Sequence, residues 1–311
     1  MRELTRVLVT GGAGFIGSHV VDRLVGSGCE VIVVDNLSAG VLANIEEHVR
    51  EGRVCFVRGD IRDSETVGKC VHGVDAVVHL AAVTSVPFSV EHPALTFENN
   101  VDGTLNLLNW CVKVGVGRFV FVSSCSVYGE PNYLPVDEKH PTCPCSPYAS
   151  SKLEGERQCR NFEERYGLET VALRLFNVYG PRQGLSSYSG VVTQFVNRAR
   201  QGSALVIFGD GRQTRDFVHA YDVADAVLRS LKGESDGEVF NIGSGRPTSL
   251  NSLAKSVLNL AGANLDIVYE KPRVGDVKAS FADISKAEKQ LNHKPIVPLE
   301  KGLRSMVEEA C

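Results

Sequence analysis

Residues 6–19, Arg-Val-Leu-Val-Thr-Gly-Gly-Ala-Gly-Phe-Ile-Gly-Ser-His, restrict the possible folds more than any other stretch. A short apolar run ends in glycines, and an amphipathic run over 16–24 follows. That order describes a buried strand, a tight turn and the start of a helix. Gly11, Gly14 and Gly17 stand three residues apart. Lacking side chains, they let the turn close, let backbone N–H groups approach a pyrophosphate, and let the helix pack on its strand. The helix N-terminus adds free donors and a positive dipole end. Gly11, Gly14, Phe15, Ile16 and Gly17 thus form a candidate dinucleotide seat. Thirty glycines also produce such spacing by chance, so the flanking strand and helix matter.

The same rhythm continues downstream. Val-rich strands without polar alternation are predicted at 7–10, 30–35, 54–58, 76–80, 119–123 and 170–175. Helices are predicted between them at 14–27, 63–70, one long helix near 93–114, and 148–166. Strands buried on both faces and alternating with helices imply a doubly wound (Rossmann) α/β fold with a parallel sheet over 1–176. After 176 the rhythm changes to Gly-, Ser- and Tyr-rich loops, helices at 191–201, 221–231, 250–261 and 299–309, and strands at 205–208 and 239–242. This predicts a smaller C-terminal α/β substrate domain over 177–311, with part of 213–235 free to return to the first sheet.

Composition closes off other classes. A net charge of −4 with no basic block excludes a general nucleic-acid binder. The five or so apolar residues before Gly11 are too few for a signal peptide or membrane span. Nine scattered cysteines, with Cys143-Pro-Cys145 as the one close pair and no matching ligand pair for zinc, suggest reduced thiols in the cytosol and no metal site.

Several side chains carry chemistry. Asp35 ends the second strand, eighteen residues after Gly17, where an acid accepts from ribose hydroxyls and repels a 2′-phosphate. That favours NAD over NADP; a turn-forming Asp is the alternative. Asp60, in Gly-Asp-Ile-Arg-Asp, lies past the third strand near an adenine position, or serves a helix beginning near Asp63. Tyr148 and Lys152 stand at i and i+4, on one helix face. A phenol of pKa about 10 needs to fall by roughly three units, about 4 kcal/mol, to act as a base near neutrality. One cation about 4 Å away at an effective dielectric near 20 supplies about that much. Ser124 follows the apolar run 118–122 and can bridge a substrate oxygen and Tyr148 as a relay, or merely line a turn. No Gly-x-Ser-x-Gly elbow supports a serine hydrolase. Arg215 and Arg273 can grip a diphosphate, or form surface ion pairs. The histidines, His79 and His219 included, are read as structural.

Taken together, Thr10 to Gly17, Gly59-Asp60, His79-Leu80-Ala81-Ala82, Asn99-Asn100-Val101, Ser123-Ser124, Tyr148-x-x-x-Lys152, Arg174-Leu175-Phe176-Asn177 and Arg215-Asp216-Phe217-Val218-His219 resemble the extended short-chain dehydrogenase/reductase family, and within it the UDP-hexose 4-epimerases. The resemblance implies that Tyr148 is the base, Lys152 its electrostatic and ribose-binding partner, and Ser124 the relay. It puts Asp35, Asn36, Asp60, Ile61, Leu80, Ala81, Ala82, Asn99 and Phe176 at a bound NAD. It puts Ser85, Asn177, Val192, Phe208, Arg215, Arg273, Asp276 and Ser280 at a UDP-sugar. In that family the sugar is oxidised at C4 to a ketone, turns over, and is reduced on its other face; the enzymes are commonly homodimers through helices like 95–115 and 148–166.

Two details sort the relatives. Dehydratases carry an Asp-Glu pair, and decarboxylases a Glu, where Cys125 and Ser126 stand here. Ser280 occupies the position of a bulky Tyr in hexose-only epimerases, so N-acetylated sugars are expected alongside plain ones; the run Ser85 to Val90 also looks more like members that accept them. A uronate epimerase, a decarboxylase, a reductase, or a non-catalytic NAD(H)-binding scaffold are the alternatives.

Overall fold

The computed structural model describes residues 4–185, 189–233, 237–272 and 277–308. Its strands are β1 (Arg6–Thr10), β2 (Glu30–Asp35), β3 (Val54–Arg58), β4 (Ala76–His79), β5 (Arg118–Ser124), β6 (Glu169–Leu175), β7 (Asn177–Tyr179), β8 (Leu205–Phe208), β9 (Thr214–His219), β10 (Glu238–Ile242), β11 (Pro247–Ser249) and β12 (Ile267–Glu270). Its helices are α1 (Phe15–Gly26), α2 (Glu46–Arg50), α3 (Ser64–Val71), α4 (Val86–Glu91), α5 (Pro93–Phe97), α6 (Gly103–Val114), α7 (Pro147–Tyr166), α8 (Val191–Arg200), α9 (Ala220–Lys232), α10 (Leu250–Leu260), α11 (Ser285–Gln290) and α12 (Leu299–Glu308).

Seven strands form one parallel sheet in the order β10-β6-β5-β4-β1-β2-β3. Val7, Val9, Val31, Val33 and Val78 pack toward α1 and α9, while Leu8, Ile32, Val77, Phe119 and Phe121 pack toward α3, α6 and α7. Both faces are therefore buried, which is why the strands read as continuous apolar runs. The strand order reverses between β1 and β4, and it is at the carboxyl ends beside such a reversal that open α/β sheets bind their ligands.

Two expectations need correction. The strand at 239–242, assigned to the smaller domain, is β10 and completes the main sheet beside β6. Helix α9 returns with it and is clamped to α1 by Arg23–Asp225 at 2.8 Å. The exposed edge of β10 is closed by side chains: Asn241 N–H donates to Glu138 Oε1 at 2.8 Å, and Lys286 Nζ to Val239 O at 2.7 Å. The long helix near 93–114 is also interrupted by a π turn at Glu98–Asp102. On it, buried Asn100 bonds both the N–H (2.7 Å) and C=O (2.9 Å) of Val83, and also Ser151 Oγ at 2.9 Å. Such turns recur at functional sites.

The remaining strands form two small sheets, β11-β9-β7 and β12-β8. Helices α8, α10 and α12 cover them around Phe195, Leu205, Leu253 and Leu303.

Candidate active site

At the glycine turn, Gly11 adopts φ +71°, and a Cβ on it would stand 2.8 Å from the backbone N of Ala81. A Cβ on Gly17 would stand 2.1 Å from Gly11 O. The turn therefore closes against both α1 and the chain leaving β4, and only glycine fits. Gly14 caps α1 without any side-chain bond, so the first N–H groups of the helix face the crevice uncapped. Asp35 Oδ2 accepts from Ala13 N (3.0 Å) and Oδ1 from Leu37 N (2.8 Å). It locks the turn to the end of β2, and each oxygen keeps a further lone pair for a ribose hydroxyl. Both of its expected roles, turn-forming and ligand-binding, are compatible with this geometry.

Beyond β3, Asp60 is held by Arg62 through bonds of 2.9 and 2.7 Å, and by Asn36 at 3.3 Å. The Arg62 guanidinium pulls its carboxyl down to about 2. Asp63, not Asp60, caps α3. Leu80, Ala81, Ala82 and Asn99 are half-exposed, with Leu80 and Ala81 against Thr10 and Gly11. His79 is buried between Thr10 Oγ1 (2.7 Å) and Thr104 Oγ1 (2.9 Å), and burial pushes it down to about 3. It is a neutral spacer.

The Ser–Tyr–Lys group assembles where β5 meets α7. Ser146 and Ser89 accept the first N–H groups of α7, from Ala149 (3.1 Å) and Tyr148 (3.1 Å), and so fix the start of the helix. Ser124 ends β5, and its hydroxyl accepts from Ser126 N at 3.2 Å. Burial pushes the Tyr148 phenol up to about 12, and the Ser124 hydroxyl acts against that rise. Lys152 lies 2.8 Å from Val122 O and over the Phe121 ring; burial pulls its ammonium down to about 8. The lowering of Tyr148 expected from Lys152 is not found: burial and Ser124 set the phenol, while the ammonium is desolvated and turned to the Val122 carbonyl.

Cys125 links this group to the smaller sheets. Its thiol is pushed up to about 12 by burial and senses Asp216 and Arg215, while its own charge would act on Tyr148. Ser280 N–H donates to Thr214 O at 3.1 Å, so the segment from 277 runs beside β9 and sets Ser280 near Arg215. Asn177 Nδ2 donates to Asp216 O at 3.3 Å. Phe208 closes β8, half-buried. Arg273 and Asp276 lie outside the described residues.

Four expected ligand positions have other work for their side chains. Ile61 (4% exposed) packs under α6 against Gly103, Phe176 (3%) joins Val127, Tyr128 and Leu153, and Val192 (2%) fills the core of the smaller part. Ser85 caps α4 by accepting from Phe88 N at 3.2 Å. Only their backbones, or for Ser85 the remaining hydroxyl capacity, are left for a ligand. Two groups were not read as functional at all. Glu156 accepts from Ser123 Oγ (2.5 Å) and from Arg174 (2.6 and 2.9 Å), forming a buried brace behind Ser124. Asp216, fully buried, accepts from Ser244 N, Ser244 Oγ, Gly245 N and Ala282 N. The motifs Arg-Leu-Phe-Asn and Arg-Asp-Phe-Val-His contain both Arg174 and Asp216, but nothing local shows that they face inward.

A strand–turn–helix seat and a Ser–Tyr–Lys group at the carboxyl ends of one parallel sheet define an extended short-chain dehydrogenase/reductase. More narrowly, the chain belongs to the NAD dependent epimerase/dehydratase family, whose model matches residues 7–243. A protein of Methanocaldococcus jannaschii that carries the provisional name UDP-glucose 4-epimerase is 43% identical over 97% of both chains. The crystal structure of a UDP-glucose 4-epimerase from Thermotoga maritima with UDP-glucose is similar at a TM-score of 0.93, with 42% identity over 98% of each chain. A UDP-N-acetylglucosamine 4-epimerase from Methanobrevibacter ruminantium, in complex with UDP-N-acetylmuramic acid, gives 0.94 and 37% over 99% of this chain and 98% of that one. Decarboxylases and dehydratases of nucleotide sugars also match, at 32–36% identity. The cofactor is NAD, and the uncapped α1 terminus, the glycine cradle and Asp35 fit it.

Proposed function

We propose that this protein is a 4-epimerase of UDP-sugars, acting on UDP-GlcNAc and UDP-GalNAc as well as UDP-glucose and UDP-galactose. One observation carries this: Ser124, which bonds Tyr148, pairs with Leu175 at the end of the sheet, and Asn177, two residues on, reaches the backbone of Asp216 beside Arg215, with no acid at 125 or 126 to drive elimination or support decarboxylation. A base with no acid partner beside it can remove and return one proton, which is what epimerisation needs. Similarity to both a UDP-glucose and a UDP-N-acetylglucosamine epimerase supports the substrate pair.

In this reading the N–H groups of Phe15 and Ile16 hold the pyrophosphate of NAD. Asp35 would hold the adenosine ribose, and Asn36, Asp60 and the Ile61 backbone would hold the adenine. Leu80, Ala81, Ala82, Asn99 and the Phe176 backbone would complete the hold on NAD. Bound NAD supplies the hydride acceptor and donor and a positive ring. Tyr148 takes the proton from the sugar O4, directly or through Ser124, and returns it. Its phenol begins well above its ordinary range, so it ionises only when positive charge faces it, and Lys152 is the protein's contribution to that charge. Asn177, Arg215 and Phe208, with Arg273 and Asp276, hold the UDP end, and Ser280 leaves room for an acetamido group.

We also assign a homodimer through 95–115 and 148–166, where Leu95, Phe97 and Leu105 are exposed. The eight described cysteines, all unpaired, suit the cytosol. No described helix is long and apolar enough to cross a membrane.

The deciding experiment is NMR of the products formed from each UDP-sugar offered separately, with wild type and Tyr148→Phe. Inversion at C4 without net change in NADH absorbance is expected, and it should vanish in the variant. Net consumption of cofactor, loss of a carboxylate, or unchanged turnover in Tyr148→Phe would overturn the assignment.

A further inference from the structure

Cys143-Pro-Cys145 takes no part in this chemistry, yet it lies between the two elements that perform it. Cys143 N–H donates to Val127 O at 3.0 Å, on the turn that follows Ser124. Cys145 immediately precedes Ser146, the cap of the helix that carries Tyr148. Between these ties the loop rests on Gly129. A Cβ on Gly129 would stand 2.2 Å from Cys143 O and 3.2 Å from Cys145 Sγ, and the residue adopts φ +68°. Cys145 Sγ already turns back toward the Cys143 carbonyl, 3.3 Å away.

The other described cysteines are poor candidates for reaction. Cys29, Cys70, Cys111 and Cys159 are buried, Cys125 is half-buried, and Cys55 is exposed without a close exposed partner in sequence. Cys143 and Cys145 are both exposed. Two residues apart across a proline, their Cα atoms cannot be separated by more than about 7 Å. That ceiling lies just above the range of roughly 4.4–6.8 Å that a disulfide spans, so a slight bend of the segment brings the pair within it.

We propose that Cys143 and Cys145 form a dithiol modification site, closed by a small-molecule disulfide, and that closure slows turnover at Tyr148. One thiolate attacks the reagent RS–SR, forming a mixed disulfide and releasing RS⁻. The second thiolate attacks the protein sulfur of that bond, forming Cys143–Cys145 and releasing a second RS⁻. The two protons lost by the cysteines leave as two RSH; the protein is oxidised by two electrons and the reagent reduced by two. The ring is small and exposed, so it reopens readily with a thiol. Closure draws Cys145 Sγ off Gly129 and drags the backbone at 143–146. The tie to Val127 and the cap at Ser146 both move, and Tyr148 shifts relative to Ser124. The grip on UDP, made elsewhere, is left alone.

The proposal rests on Tyr148 as the base, and its test separates the two. Holoenzyme is incubated with oxidised glutathione, then followed by intact mass, peptide mapping and epimerisation rate, before and after dithiothreitol. The expected result is loss of two hydrogens within the peptide bearing Cys143 and Cys145. With it, kcat should fall about fivefold or more at nearly constant KM, and dithiothreitol should restore it. Cys143→Ser and Cys145→Ser should keep the untreated rate, carry at most a glutathione adduct with no loss of two hydrogens, and be inhibited less than the wild type. Stable glutathione adducts without closure, a bond mapped to another pair such as Cys55 with Cys70, closure with unchanged kcat, or equal inhibition of the variants would each overturn the proposal. Absence of epimerisation in untreated protein would count against the functional assignment, while the mass measurement would still decide whether the pair closes.

Discussion

The carboxylate of Asp216 accepts the backbone N–H of Ala282 at 3.1 Å. Its other bonds reach Ser244 and Gly245, so one buried acid joins β9, the loop after β10 and the segment carrying Ser280. Arg215 and Ser280 flank this knot and share the Thr214 backbone.

Replacing Asp216 with Asn keeps the shape but turns an amide NH₂ toward N–H donors. A buried donor left unsatisfied costs about 1–3 kcal/mol. UDP affinity, measured by calorimetry, should fall roughly 5- to 100-fold with NAD content unchanged. Unaltered UDP affinity would show that the knot does not position Arg215 and Ser280.

Ser280→Tyr should abolish turnover of the N-acetylated pair and spare UDP-glucose and UDP-galactose. An acetamido group needs the space that a phenol would fill. Parallel loss of both pairs, read from product ratios, would discard the gate.

Lys152 titrates at about 8 in the free protein, pulled down by burial against the pull of Glu156. Above that pH it loses the charge that favours the Tyr148 phenolate. Once bound NAD has brought the Tyr148 phenol below Lys152, kcat/KM should therefore fall with rising pH as the Lys152 ammonium deprotonates. In Lys152→Arg the guanidinium stays protonated. The residual activity of that variant should lack this limb; persistence of the limb would exclude Lys152 as its source.

Glu156 and Arg174 form a buried bidentate pair, 7% exposed on each side chain. Arg174→Met strands the Glu156 charge and should cost about 3–5 kcal/mol in urea unfolding. Adding Glu156→Gln should recover much of that. A single-variant cost below about 1 kcal/mol would mean the charge escapes to water.

His79, His219 and His293 are held down to about 3, 4 and 4 by burial. Each is depressed below its unfolded value of 6.5. Between these values the unfolded chain binds more protons, so stability rises with pH and is lost as pH drops from about 6.5 toward 4. Denaturation midpoints measured from pH 7 to 4.5 should decline, less steeply in His79→Gln. A flat profile would contradict the buried neutral histidines.

Much of the sheet could be read from the chain because both its faces are buried. Runs such as Val31 to Val34 have no polar alternation to confuse them, and the glycine turn marks its own crevice. What was hidden depends on distant partners. Nothing in Glu-Val-Phe-Asn-Ile says that β10 pairs with β6, whose residues lie 67 positions earlier. The π turn at Asn100 depends on Val83 and Ser151, and the inward turn of Asp216 on Ser244 and Ala282. Ile61, Phe176 and Val192 show the converse: a motif position points to a ligand, while the side chain serves a core.

The late arrival of β10 also bears on how the molecule could be divided. A fragment ending after β6 would bare the strand Glu169–Leu175 along its outer side, with unpaired amides and apolar residues on both faces. Such an edge invites pairing with other chains. The nucleotide-binding half thus gains its final strand only after the chain has passed through β7, β8 and β9. Severing the halves at a single point would produce a sticky remnant, not an autonomous module.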